Sequence, residues 1–251
     1  MADGTELPLA DGAIAKSQVD LIAKATDDIP SDREIYFISG LGADWRVFQR
    51  LRLEGYRPVH IRWEHPQRGE SIEQYAQQLL EQVTGESPIF VGLSFGGLMA
   101  VEMAKLSNPA QVIVISGATT GEQIPAYFKL LRWLPLQCVL PLKQLLWAVY
   151  GVLAWLFGLK DPDDRSLFKQ ILMDTDPGFL KWAINRVVGW RNQVVPKNLV
   201  QIHGERDRVF PSGHRSADVV VPEGGHLMVL TRAEELSELL MAVLETTPAT
   251  A

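Results

Sequence analysis

The sequence predicts an α/β fold: a mostly parallel sheet covered by helices on both faces, with an inserted helical cap. Two observations carry this. Six short apolar, β-branched runs alternate with amphipathic helical patterns, as in a sheet buried on both faces. The alternation then stops after Ser116 and resumes only at Leu199. The length of 251 residues suits one large domain, or a domain carrying a lid.

In chain order, residues 1–30 read as a loose tail with a weak helix over Ala13–Ala25. Strands are expected at Ile35–Ser39, Pro58–Trp63, Ile89–Leu93, Gln111–Ser116, Leu199–His203 and Asp218–Val221. A short helix is expected over Trp45–Leu51. Ser71–Val83 places Ile72, Tyr75, Ala76, Leu79 and Val83 on one face, and Ser71 with Gln74 has capping-box spacing. Phe95–Leu106 is apolar or small on most sides, which predicts a buried helix. Thr231–Leu244 carries Leu236, Leu239, Leu240 and Val243, and Thr231 with Glu234 repeats the capping-box spacing. The core is thus assigned to residues 31–120 and 193–251, and the cap to 121–192.

The cap is rich in Leu and Trp (Trp133, Trp147, Trp155, Trp182, Trp190) and punctuated by Pro125, Pro135, Pro141, Pro162 and Pro177. Asp176 before Pro177 reads as an N-cap followed by proline at the first helical position. The stretch Leu145–Leu159 carries no charge, yet it is shorter than the roughly 20 residues of a spanning helix. It predicts a buried helix or a greasy lid, with membrane contact through the apolar cap as the alternative.

A net charge of -6 argues against a nucleic-acid partner. Cys138 is the single cysteine, so no intramolecular disulfide forms and a reducing compartment is expected. Met1–Ala10 lacks the pattern of a signal peptide, and the expected location is cytoplasmic. The five histidines show no metal-ligand spacing, so no metal is expected. Gly96-Gly97 lacks the Lys and Ser/Thr of a phosphate loop, and no cofactor is expected. Oligomeric state is left open.

The chemistry centres on Gly92-Leu93-Ser94-Phe95-Gly96, a G-x-S-x-G run between an expected strand and an expected buried helix. A serine there sits on a sharp turn, with glycines removing side chains that clash across it. Its hydroxyl needs a base, and the base needs an orienter. Among His60, His65, His203, His214 and His226, the last follows Gly224-Gly225 between the final strand and final helix, on the sheet edge that carries Ser94. His60 reads as strand packing and His65 as a loop residue near the site. Asp207 follows the fifth strand at the same edge, with Glu205 as the rival acid. The chain order Ser94, Asp207, His226 favours Asp207.

These runs, GLSFGG, HGERDRVFP and GGH, in this order over most of residues 35–245, resemble the α/β-hydrolase superfamily. The resemblance implies the α/β-hydrolase fold and an oxyanion hole formed by the N–H groups of Phe95 and Leu41, the latter in Ser39-Gly40-Leu41-Gly42. Ser39 stands where many members have histidine. Relatives that are dehalogenases or epoxide hydrolases place Asp at the elbow, where this chain has Ser94. Asp44, Trp45, Trp133 and Trp182 are expected to contribute to substrate binding. The expected reaction is hydrolysis of an ester or thioester with an apolar acyl group, a small-molecule substrate. The same triad also serves carbon–carbon hydrolases, lyases and cyclising acyl transferases. A non-catalytic ligand binder is the alternative of another class.

Overall fold

Each apolar run becomes a strand of one sheet. The computed structural model describes residues 33–131, 142–211 and 213–246. Its strands are β1 (Glu34–Ile38), β2 (Arg57–His60), β3 (Ile89–Leu93), β4 (Gln111–Ile115), β5 (Leu199–Gly204) and β6 (Val219–Val221). Their order is β2-β1-β3-β4-β5-β6, and every pairing is parallel. Asp218 stays outside β6, and its carboxylate accepts the Gln201 N–H at 2.8 Å. The tail, the weak helix over Ala13–Ala25, Trp133 and Cys138 lie outside the described residues.

The chain leaves β1 toward one side of the sheet and returns to pair β3 on the other. This reversal opens a crevice at the carboxyl ends of β1 and β3, where ligands of open α/β sheets bind. Strand alternation splits the interior in two. Tyr36, Ile38, Phe90, Val112 and Val114 face one core. Ile35, Phe37, Val91, Leu93, Ile113 and Ile115 face the other. Full burial of each such side chain contributes about 1.5–3 kcal/mol.

Helix α1 (Ile72–Leu80) and helix α2 (Phe95–Leu106) cover the first core with Tyr75, Leu79, Leu98, Met99 and Met103. The Ser71–Gln74 capping box closes the start of α1, both of its bonds being made. Between β4 and β5 lie α3 (Ala126–Leu131), α4 (Leu142–Leu156), α5 (Pro162–Asp174) and α6 (Pro177–Gly189). Asp161 and Asp176 cap α5 and α6, each followed by proline at the first position. The described residues of this region hold no strand. Buried Glu102 of α2 accepts the Trp190 indole N–H at 2.7 Å and pairs with Lys105 at 2.6 Å, tying the end of α6 to the core.

The last expected helix needs correcting. Only its start moves: the helix is α8 (Ala233–Glu245), it follows a short α7 (Met228–Thr231), and the Thr231–Glu234 capping box is not made. Arg232 (φ -137, ψ 40) is the N-cap of α8, with no side-chain capping bond. The Thr231 hydroxyl turns back to the Leu227 carbonyl at 3.3 Å. The expected helix over Trp45–Leu51 is a single 3-10 turn, Trp45–Phe48. No helix among the described residues is long and apolar enough to cross a membrane.

Candidate active site

Ser94 joins the end of β3 to the start of α2. Its backbone is forced to φ 54 and ψ -114, a region that costs a non-glycine residue on the order of 1–3 kcal/mol. Neighbouring bonds hold it there. The Ser94 N–H donates to the Ile115 carbonyl and the Gly97 N–H to the Ser94 carbonyl, both at 2.9 Å. Close backbone approach explains two glycines of the run. A Cβ on Gly96 would stand 2.0 Å from the Ile38 carbonyl oxygen, and one on Gly92 would stand 2.3 Å from that of Gly96.

His226, on the loop between β6 and α7, reaches across to this turn. Its Nε2 lies 3.0 Å from Ser94 Oγ, and its Nδ1 lies 2.9 Å from Asp207 Oδ2. The serine hydroxyl donates to Nε2 when Nδ1–H donates to the carboxylate. Rings of Phe157 and Phe210 flank the imidazole, with centroids at 5.1 and 5.9 Å. Asp207 is itself fixed by the turn after β5: its Oδ1 accepts the N–H groups of Val209 at 2.7 Å and Phe210 at 2.9 Å. Burial pushes the Asp207 carboxyl up, but the charge of His226 and hydrogen bonds from His203 and His226 outweigh it. The carboxyl is held well below the usual carboxylate range.

Glu205, the rival acid, lies on the surface, where it accepts the Glu223 N–H at 3.2 Å. His60 is packed among Phe37, Trp45 and Phe48. His65 is exposed, 4.0 Å from Asp176. The side chain of His214 lies outside what is described. The sequence places His203 at a strand end and among the five histidines, and in the structure its Nε2 lies 3.2 Å from Asp207 Oδ2. Its position four residues before Asp207 was the available signal, since the tight turn after β5 folds the chain back onto it.

The loop after β1 runs beside Ser94: a Cβ on Gly40 would stand 3.4 Å from that of Ser94. Ser39, the departure from histidine, closes this loop. Its hydroxyl donates to the Ala43 carbonyl and accepts the Trp63 indole N–H, both at 2.9 Å. Leu41 and Phe95 line one cavity with Ser94 and His226. The Phe95 N–H is the first of α2, a position without an intrahelical acceptor.

That cavity measures about 220 Å³. Its walls are Leu93, Leu98 and Leu227 from the sheet and its flanks, and Phe128, Leu153, Leu156, Phe157, Phe168, Ile184 and Val187 from the helical stretch between β4 and β5. Tyr127 also lines it, but its hydroxyl donates to the Val209 carbonyl. An apolar chamber is thus lined by Ser94 and His226 as well.

Three expected binding residues stand elsewhere. Asp44 caps the Trp45–Phe48 turn and pairs with Arg46 at 2.6 Å. Asp44 and Trp45 line a separate hollow with His60, His65 and Asp174, and Trp45 is 54% exposed. Trp182 packs 4.4 Å from Tyr75, donates to the Glu70 carbonyl at 3.1 Å, and does not line the cavity. Trp147 and Trp155 face outward from α4. Phenylalanines supply the aromatic wall instead. Among the described residues, no three His, Cys, Asp or Glu side chains gather as a metal-ligand set.

A sequence profile of the alpha/beta hydrolase family matches residues 35–239. No curated protein matches the chain by sequence. Among solved structures, a thermophilic esterase from Thermogutta terrifontis superposes with a TM-score of 0.63 at 16% identity, over 85% of this chain and 90% of that one. MenH from S. aureus superposes with a TM-score of 0.62 at 14% identity, over 87% and 95% of the two chains. An esterase from Exiguobacterium antarcticum superposes with a TM-score of 0.59 at 16% identity, over 85% and 92%. At these identities the likeness is one of fold.

Proposed function

Because this chain belongs to the alpha/beta hydrolase family, we propose that it is a serine hydrolase cleaving esters or thioesters of apolar acyl groups. One observation carries the reading. His226 bridges Ser94 at 3.0 Å and Asp207 at 2.9 Å at the head of an apolar cavity. The esterases among the structures of like fold agree with it.

Ser94 Oγ attacks the substrate carbonyl, and its proton passes to His226 Nε2. Asp207 keeps the Nδ1–H aimed and stabilises the imidazolium. The Leu41 and Phe95 N–H groups receive the developing oxyanion, each worth about 3 kcal/mol. His226 then gives its proton to the leaving alcohol or thiol. A water enters, loses a proton to His226 and cleaves the acyl–Ser94 ester. The free acid leaves and Ser94 regains its proton.

Chain-length panels of p-nitrophenyl esters and acyl-CoA thioesters test the reading. Turnover should favour apolar acyl groups and fall on the order of 10⁶-fold in Ser94→Ala. Unchanged turnover in that variant contradicts the triad. Activity on short polar acyl groups alone contradicts the apolar assignment.

A further inference from the structure

Asp207 serves two histidines. His203, the fifth residue of β5, is fully buried. Its Nε2 lies 3.2 Å from Asp207 Oδ2 and 3.1 Å from the Phe210 carbonyl oxygen. A nitrogen between two acceptors carries the hydrogen, so the ring is assigned as the Nε2–H tautomer. Its Nδ1 is buried with no hydrogen-bond partner, which suits a lone pair better than a second N–H. The ring is also locked sterically. Gly213 packs so closely that a Cβ there would stand 2.1 Å from His203 Cε1.

We propose that His203 is a positioning residue: its Nε2–H holds Asp207 Oδ2 in line with His226 Nδ1 and shares the carboxylate charge. The proposal rests on the reading of Ser94, His226 and Asp207 given above. Four N–H groups thus surround the carboxylate: two backbone N–H groups on Oδ1, the His226 N–H on Oδ2, and the His203 Nε2–H, 3.2 Å from Oδ2 and shared with the Phe210 carbonyl at 3.1 Å. Rotation of the carboxylate breaks all four. A donor on Oδ2 also draws electron density away from His226, which keeps the transferred proton on the imidazole.

Two consequences separate this from simple packing. A ring of similar volume without the N–H fills the space but frees Oδ2. With one donor fewer, Asp207 holds the imidazolium proton more tightly, so the acid limb of kcat/KM moves to higher pH. The groups facing the pair are few. His203 comes from β5, and Tyr127 comes from α3, its hydroxyl pushed up to about 12 by burial and by the Asp207 charge. Phe157 and Phe210 are uncharged. Arg208 turns away to the Trp155 carbonyl at 2.6 Å and to the face of its ring.

The test compares His203→Phe, His203→Gln and His203→Asn with the wild type, using a p-nitrophenyl ester and active-site counting with a fluorophosphonate. Phe removes the donor. Gln places an amide N–H where Nε2 stands, and Asn falls one bond short. The expected result is a fall in kcat of about tenfold in Phe and Asn, with KM unchanged and the acid limb shifted upward, and recovery in Gln. If the Phe variant does not fold, the Gln and Asn pair decides. Equal kcat in Gln and Asn, or a Phe variant with wild-type kcat and pH profile, overturns the proposal. Failure of the wild type to show Ser94-dependent turnover overturns the underlying reading instead.

Discussion

Replacing Asp207 by Asn leaves the shape of the site intact and changes its hydrogen-bond arithmetic. Four donors converge on the Asp207 carboxylate, and an amide offers one accepting oxygen. If that oxygen keeps the Val209 and Phe210 N–H groups, an NH₂ group faces His226 and His203. The His226 N–H then loses its acceptor, at about 1–3 kcal/mol of stability, while the His203 N–H keeps the Phe210 carbonyl at 3.1 Å. His226 relieves part of this by moving its hydrogen from Nδ1 to Nε2. It then points an N–H at Ser94 Oγ and no longer accepts the serine proton, and kcat should fall on the order of 10⁴-fold. The pH dependence follows from the depressed Asp207 carboxyl. A carboxyl depressed on folding contributes stability above its unfolded value, about 3.9, and loses it as pH falls toward the folded value. The stability gap between wild type and Asp207→Asn should therefore hold at pH 7 and narrow below about pH 4, by up to about 1.4 kcal/mol per pH unit. Urea unfolding of both proteins at pH 7, 4 and 2.5, with kcat on one ester, measures both effects. A gap that stays constant below pH 4, or a variant kcat within tenfold of wild type, refutes the reasoning.

Gly96→Ala forces a Cβ to 2.0 Å from the Ile38 carbonyl oxygen, so it should cost about 4 kcal/mol or more, read as thermal unfolding or lost soluble yield. Phe157→Ala removes both a cavity wall and the ring 5.1 Å from His226. Its KM for apolar acyl esters should rise about tenfold, with a stability loss of about 3 kcal/mol. Trp45 is exposed and lines the neighbouring hollow, so Trp45→Ala should change kcat/KM less than about threefold in a steady-state assay.

Sheet and elbow are legible in the sequence because both are local. Parallel strands buried on two faces read as apolar runs such as IFVGL, and Ser94 needs only its flanking glycines and the strand–helix junction to stand out. Features set by the path of the chain are less legible. Thr231 and Glu234 have the right spacing for a capping box, but the chain turns at Arg232 and breaks the helix between them. Asp44 and Trp45 are adjacent in sequence to the loop beside Ser94, yet a 3-10 turn carries them into another hollow. The tryptophans of residues 121–192 mark that stretch as apolar without revealing which face each occupies. On α4 the inner wall is Leu153 and Leu156, while Trp147 and Trp155 point outward. His203 reads in sequence as the end of a strand, and only the turn at Asp207 brings the carboxylate back onto it.

The most direct test of the central claim is mass spectrometry of the intact chain and its peptides after treatment with a fluorophosphonate. One adduct per chain should form, on the peptide bearing Ser94. It should be lost in Ser94→Ala and slowed by a competing apolar ester. No adduct, or an adduct on any other residue with Ser94 unmodified, contradicts the assignment of Ser94 as the nucleophile.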